Sequence, residues 1–373
     1  MVTATHAGAI LTIDLDAVAA NYALLSKKSP GAACAAVVKA DAYGVGLEPV
    51  ARRLAHEGCR QFFVAQLAEA VTLREVLDNV AHDSAIHVLN GPDPGTEEDF
   101  KNCRAIPVLN SLTQIALWSS HAKKRALSQD AVLHVDTGMA RLGLTKADVD
   151  VLAADPDRLS GLNIHLVVSH LACAEERTNP LNERQRRLFD DLRARLPVAP
   201  ASLANSSGIF LGTGFHYDMV RPGASIYGIS PLPDESNPMR QVINLKGKII
   251  QIRVIDTDMT VGYGATHRAT RPSRIATVAV GYGDGYPRHL GNRGHGYIGD
   301  ALVPIVGRVS MDLTTFDVSD VPESATQPGM MIELLNERHT VDDLAREADT
   351  IGYEVLTNLG KRYQRRYIGA VDG

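Results

Sequence analysis

Cysteine is scarce in this sequence, and long apolar runs and charge of one sign are missing. The 373 residues include four cysteines, Cys34, Cys59, Cys103 and Cys173. They lie far apart and form no CxxC or other metal-ligand spacing, so neither a disulfide framework nor a metal centre is expected. They read as free thiols of a reducing compartment. No stretch approaches the roughly 20 apolar residues needed to span a bilayer, so no membrane association is expected. No basic segment precedes an apolar run at the N-terminus, and Asp14 and Asp16 follow directly. No signal peptide is expected, and a cytoplasmic protein is the simplest reading. The formal net charge is only -5, with Lys and Arg scattered. That argues against a nucleic-acid surface or an acidic tail.

What is present is a hydrophobic content of 45%, enough for a sizeable core. Length alone suggests two or three domains. Leu15, Val18, Tyr22 and Leu25 make an apolar stripe at helical spacing, and Asp14 or Asp16 can cap it. Pro30-Gly31 ends that helix. Strand-like runs then recur at 61–65, 85–89, 105–109, 131–135, 164–169, 201–204 and 217–220, and helix-like segments fall between most of them. With a run near residue 37 this makes about eight strands in roughly 230 residues, the size and alternation of a (β/α)8 TIM-type barrel. A doubly wound open sheet is the alternative. The barrel is preferred because polar residues recur just past so many strands: Asn90-Gly91, Asn110-Ser111, Asp136-Thr137-Gly138, His170 and Asn205-Ser206. In a barrel those ends converge on one mouth.

The texture changes at the Pro-, Ser- and Asp-rich segment 231–238, a linker candidate. Beyond it strand patterns dominate, at 242–255, 275–280, 302–309, 313–318 and 330–335. A short helix is expected near 340–348, capped by Thr340 with Asp343. The reading is a barrel over residues 10–236 and a mainly β C-terminal domain over 237–373. The strand-like Ile10-Leu-Thr-Ile13 makes residues 1–13 a candidate to join that second domain.

One stretch organises the rest: Ala35-Ala-Val-Val-Lys39-Ala-Asp-Ala-Tyr43-Gly44. It reads as a buried strand with Lys39 at its C-terminal end and a turn after it. An ammonium there is partly desolvated, which lowers its pKa and makes it a usable nucleophile or base. The plain alternative is a lysine snorkelling out at a strand end. Asn205-Ser206-Ser207-Gly208 follows the seventh strand and can open a helix whose amides and hydroxyls suit a phosphate. Arg221-Pro222-Gly223 follows the eighth, and Gly223 lets the backbone approach closely. The last two loops of barrels often bind phosphate. Val261-Gly262-Tyr263-Gly264 reads as a tight, exposed loop presenting a phenol, or as a simple turn tyrosine.

The lysine motif resembles that of the alanine racemase family. The resemblance continues through Asp136-Thr-Gly-Met-Ala-Arg141-Leu-Gly143, Val167-Val-Ser-His170, Arg221-Pro-Gly223, the Tyr263 loop, Val306-Gly-Arg-Val-Ser-Met311-Asp312 and Gly352-Tyr353-Glu-Val355. It spans Ile13 to about Tyr367. It implies racemisation of L- and D-alanine with pyridoxal 5'-phosphate (PLP), supplying D-alanine for bacterial cell-wall peptidoglycan. Lys39 would anchor PLP and act as one base. The partner subunit's Tyr263 would be the other, in a homodimer whose sites are shared across the interface. Ser206, Tyr43 and Tyr353 would lie at the phosphate and Arg221 at the ring nitrogen. His170 would pack on the cofactor, and Arg141 would sit near its phenolic oxygen. Arg141, Met311 and Asp312 would meet substrate. A broad-specificity or serine racemase is the nearest alternative, and a PLP-barrel decarboxylase a more distant one. Two positions depart from the family pattern. Val45 replaces a common histidine, and His134 replaces a lysine that is carbamylated in many relatives.

Overall fold

Short strands buried on both faces build the first part of the molecule, which is described by a computed structural model covering residues 7–126 and 128–371. Ala36–Val37, Gln61–Val64, Ala85–Val88, Ala105–Leu109, Gln129–His134, Leu162–Val168 and Ala201–Ser202 form one parallel sheet in chain order. Phe62, Phe63, Val64, Val88, Leu109 and Leu133 are fully buried on these strands. Continuous apolar runs of this kind suit parallel strands covered on both sides. Burying one such side chain contributes about 1.5–3 kcal/mol.

The sheet closes on itself. Met219–Val220 pairs in parallel with Ala33–Cys34, in the register Met219 to Ala33 and Val220 to Cys34. The Asp218 and Arg221 amides donate to the carbonyls of Ala201 and Ala204 at 3.0 and 2.9 Å. The Ala33, Ala35 and Val37 amides donate to Asp218, Val220 and Pro222 at 2.8–2.9 Å. The barrel expected from the sequence is therefore present, and the open sheet is excluded. Helices Leu67–Leu77, Leu112–Arg125, Lys146–Ala154 and Pro180–Arg193 return the chain between strands. Ser111 and Thr145 start two of them, each accepting a backbone N–H three residues on, at 3.2 Å. Such caps satisfy amides that the helix itself leaves without acceptors.

Two local expectations differ from the structure. The lysine strand ends at Val37, and Lys39 opens a single turn of left-handed backbone. Ala40, Asp41, Ala42 and Tyr43 all have φ between +51° and +56°. Each costs roughly 1–2 kcal/mol against the right-handed form. Side chains hold the turn: Glu69 Oε1 accepts from the Ala40 amide at 2.6 Å, and Asp41 Oδ1 from the Leu47 amide at 2.7 Å. The loop after Ala201–Ser202 opens a short 3-10 turn, Ser207–Leu211, rather than an α-helix.

The second unit comprises described residues 7–17 and 240–370, and the barrel unit takes 18–239. Its axis is the long strand Ile243–Ile255, which pairs antiparallel with Ala9–Asp14, Met331–Leu335 and Ser273–Val278. Register shifts near Leu245 and Ile249 let one strand serve successive partners. Gln364–Ile368 adds a parallel edge to Ala9–Asp14, so the N-terminal strand belongs to this β-rich unit. Leu11, Ile13, Ile243, Leu245, Ile332 and Phe316 fill its core. The run expected at 302–309 is a strand only over Ala301–Pro304. Gly307 breaks it with φ +79°, where a Cβ would stand 2.8 Å from the Val261 carbonyl oxygen.

Candidate active site

Parallel barrel strands deliver their C-terminal ends to one rim, and the loops there carry polar side chains. A cleft of about 240 Å³ at that rim is lined by Lys39, His134, Asp136, Arg141, His170 and Arg221, among others. Lys39, Arg141, His170 and Arg221, singled out from sequence, are thus brought together. Burial lowers the Lys39 ammonium pKa first, and the Arg141 charge lowers it further, against a smaller opposing effect of Glu69. The amine is thereby biased toward its neutral, nucleophilic form.

Arg221 is 6% exposed. One guanidinium nitrogen donates to the Ser202 hydroxyl, and the other to the Ser169 carbonyl at 2.5 Å. Its cation faces the Phe63 ring at 5.9 Å. Burial brings its pKa down to about 10, so it still holds its charge at neutral pH. His170 follows the sixth strand, and its pKa is well below the ordinary value through burial and then the charges of Arg221 and Arg141. It presents a neutral imidazole. Its carbonyl accepts from Gln185 at 2.9 Å, and the same amide nitrogen reaches the Thr137 hydroxyl at 3.2 Å.

His134 is also neutral. Its pKa is pushed down to about 4 by burial and then by Arg221. Its Nδ1 bonds the Asn110 amide oxygen at 2.7 Å, which makes Nδ1 the proton-bearing nitrogen. The Asp136 carboxylate orders the loop carrying Arg141, accepting from the amides of Gly138 and Met139 at 2.9 Å. Among the described residues, Arg141 has no carboxylate partner within ion-pair distance.

A second cluster lies on the last two barrel loops. The Ser206 hydroxyl accepts from the amides of Gly223 and Ser225 at 3.0 and 3.3 Å. The Ser225 hydroxyl is buried and lacks a partner among the described residues. A Cβ at Gly223 would stand 2.3 Å from the Tyr43 phenol oxygen. Tyr43 cannot simply swing away, because its ring stacks on Tyr227 with centroids 4.8 Å apart. Gly223→Ala is therefore expected to lower stability by about 1–3 kcal/mol, read as a lower urea midpoint. Adding Tyr43→Phe should recover part of the loss. Equal midpoints for wild type and Gly223→Ala would show that the contact is not tight.

The remaining candidates belong to the β-rich unit. Tyr263 is 73% exposed, in the turn Tyr263–Ala265 between Gly262 and Gly264, both at φ +74°. Only glycine adopts that backbone without strain, so the phenol stands on a fixed pedestal. Met311 and Asp312 follow the broken strand. The amides of Tyr282 and Gly283 donate to the carbonyls of Ser310 and Met311 at 3.0 and 2.7 Å. Arg362 ties Asp312 at 2.7 Å to Asp284 at 2.6 Å. Tyr353 is half-exposed on helix Gly352–Thr357.

Sequence reasoning placed Asn110 at the mouth without a role and missed Glu69, Ser202 and Gln185; all four hold the named residues in place. Glu69 alone left a local signal. It stands three residues after Gln66, and its Oε2 accepts from the Ala65 and Gln66 amides at 2.8 and 3.0 Å. The others act across strands and leave no spacing to read.

Fold and cleft together define a barrel enzyme with an activated amine at its mouth. Residues 13–231 match the family model for the alanine racemase N-terminal domain, and 242–367 match that for the C-terminal domain. The chain is 52% identical over 369 residues to an alanine racemase of Rhodospirillum rubrum, covering 99% of this chain and 98% of that one. It is 45% identical to a catabolic alanine racemase of Mesorhizobium japonicum, covering 99% and 95%. The crystal structure of alanine racemase from Bartonella henselae with covalently bound pyridoxal phosphate superposes with a TM-score of 0.92. That match is 39% identical and covers 97% of this chain and all of the other. The chain belongs to the alanine racemase family, and is an enzyme of that family.

Proposed function

We propose that this chain binds PLP at the barrel mouth and interconverts L- and D-alanine with two bases, Lys39 and the partner subunit's Tyr263. The observation that carries the reading is the Lys39 amine, held at a lowered pKa in a cleft with Arg221, Arg141 and His170. The residues fit the cofactor. Ser206, the orphaned Ser225 hydroxyl and the bare Cα of Gly223 beside Tyr43 make a cradle for an anionic group. Tyr353 would join them at the phosphate. When bound, PLP supplies an electron sink that acidifies the substrate Cα–H.

Each protein group then has a defined task. Lys39 holds the cofactor and takes or returns the Cα proton on one face. Tyr263 does the same on the other face, so each is acid in one direction and base in the other. Arg221 would face the ring nitrogen as a lasting cation that can donate a hydrogen bond but does not hand its proton over. That limits how much carbanion charge is drawn away from Cα and disfavours side reactions such as transamination. His170 would pack on the cofactor and bond the partner subunit's Tyr263. Arg141 would sit near the cofactor's phenolic oxygen, and Arg141, Met311 and Asp312 would meet the substrate. Tyr263 stands exposed on a rigid turn, as a side chain delivered to a second copy must, which supports a homodimer with shared sites. Alanine is the expected substrate, the cytoplasm the expected place of reaction, and cell-wall peptidoglycan the expected destination of D-alanine. Among the described residues no helix is long and apolar enough to cross a membrane.

The test is chiral chromatography of PLP-loaded protein incubated with L-alanine, then with D-alanine. Equilibration from both sides is expected. Protein that binds PLP but forms no opposite enantiomer would sink the reading. Equal turnover of serine would move it to the broad-specificity alternative.

A further inference from the structure

Three side chains that the proposed reaction does not use converge inside the β-rich unit. His295 opens strand His295–Ile298, His339 precedes helix Val341–Glu347, and Glu347 ends that helix. His295 Nδ1 lies 3.0 Å from Glu347 Oε1, and His339 Nε2 lies 3.3 Å from Glu347 Oε2. The two imidazoles stack with centroids 4.1 Å apart and planes 25° from parallel, so both rings reach the same carboxylate. One donor atom from each of the three residues falls within 4.8 Å of the other two.

With Glu347 ionised, the protons do not balance in this cluster. His339 Nδ1 lies 3.0 Å from the Leu334 carbonyl oxygen, which can only accept. That nitrogen therefore carries the proton, and a neutral His339 aims the Nε2 lone pair at Glu347 Oε2. The carboxylate oxygen answers with a lone pair of its own. Both atoms are buried and have no hydrogen-bond partner among the described residues, and the His339 side chain is 1% exposed. Two facing lone pairs at that depth need a positive centre between them, either a carboxyl proton or a metal ion.

The surroundings suit a metal ion. A backbone contact to the far nitrogen fixes the tautomer and aim of a metal-binding histidine, as the Leu334 carbonyl does for His339. The Asn336 side chain clamps the same turn, accepting from the His339 amide at 2.9 Å. His295 and Glu347 keep side-chain exposures of 20% and 23%, which leaves a way in from solvent. Two imidazoles and one carboxylate form a donor set suited to zinc(II), with a fourth tetrahedral position for water. The geometry points to His295, His339 and Glu347 as a binding site for a divalent transition metal of the zinc class, clamping strand His295–Ile298 to helix Val341–Glu347. The site is independent of the racemase reading.

Chelator-treated holoprotein dialysed against zinc(II) tests this. One zinc per chain is expected, with a raised thermal midpoint. X-ray absorption at the zinc edge should show nitrogen and oxygen neighbours and no sulfur. His295→Ala and Glu347→Gln, at the two partly exposed positions, should each weaken binding by more than about tenfold. Absence of stoichiometric zinc on folded wild type would overturn the proposal and leave a shared proton between His339 and Glu347. Sulfur scattering would overturn it in favour of the free cysteines, and so would undiminished binding in both variants. Should a variant fail to fold, the wild-type stoichiometry and absorption spectrum decide the question alone.

Discussion

Lys39→Ala is expected to lose racemisation in both directions and the visible absorbance of lysine-bound PLP together. Lys39 has two tasks in the proposed reaction, holding the cofactor covalently and moving the Cα proton on one face. A positioned acid or base alone is worth roughly 10²–10⁴-fold. Loss of both tasks should exceed about 10⁴-fold in kcat/KM. Lys39→Arg should not rescue, because a guanidinium keeps its protons. Folding should survive either change, because the strand ends at Val37 and the following turn is held by Glu69 and Asp41 rather than by the amine. Far-UV dichroism, absorbance and chiral product analysis on the same sample check all three points. Racemisation by Lys39→Ala without added amine would show that another residue is the base.

Tyr263→Phe should retain PLP and fold normally, yet slow racemisation by roughly 10²–10⁴-fold. The phenol is exposed on its turn, so removing its oxygen disturbs no core. If the site is shared between subunits, mixing Lys39→Ala with Tyr263→Phe chains should restore activity. A mixed dimer then holds one site with both bases intact and one with neither. With complete random exchange, half the dimers are mixed and each carries one working site, so recovery should approach about one quarter of wild-type activity. No recovery after demonstrated subunit exchange would place both bases in one chain.

The barrel was legible in the sequence because its strands are continuous apolar runs ending in polar residues at regular intervals. Phe62-Phe63-Val64 and Val132-Leu133 announce themselves in that way. The left-handed turn after Lys39 did not. Ala40, Ala42 and Tyr43 disfavour that backbone, and contacts such as those from Asp41 and the distant Glu69 help hold it there. The edge strand Gln364–Ile368 was also hidden, because Gln364-Arg365-Arg366 reads as polar chain until Ala9–Asp14 pairs with it. Local chemistry pointed to Lys39, Ser206 and Gly223, while Arg141, His170 and the role of Arg221 came from family motifs. Arg221 by itself reads as a surface cation beside a turn, and its burial follows from strands that are distant in sequence. The His295, His339 and Glu347 cluster has no local signature, since a strand and a helix must meet before it exists.

The ring closure has a consequence for how the chain folds. Ala33–Cys34 and Met219–Val220 are each two residues long, and they join opposite ends of the barrel sequence. Every other neighbouring pair of strands in the ring is also adjacent in the chain, and can form as the chain collapses. This last seam must wait for nearly the whole barrel, because closing so long a loop costs entropy before any contact repays it. It should also be the first to open in the native state, with the fastest amide exchange of any strand pair in the ring. Lys39 follows one lip of the seam, and Arg221 and Gly223 follow the other. A molecule bonded to Lys39 and cradled at Gly223 would bridge both lips and act as a staple, adding stability by binding only the closed ring. Exchange at Ala35 and Val37 should then slow on cofactor loading more than anywhere else in the barrel.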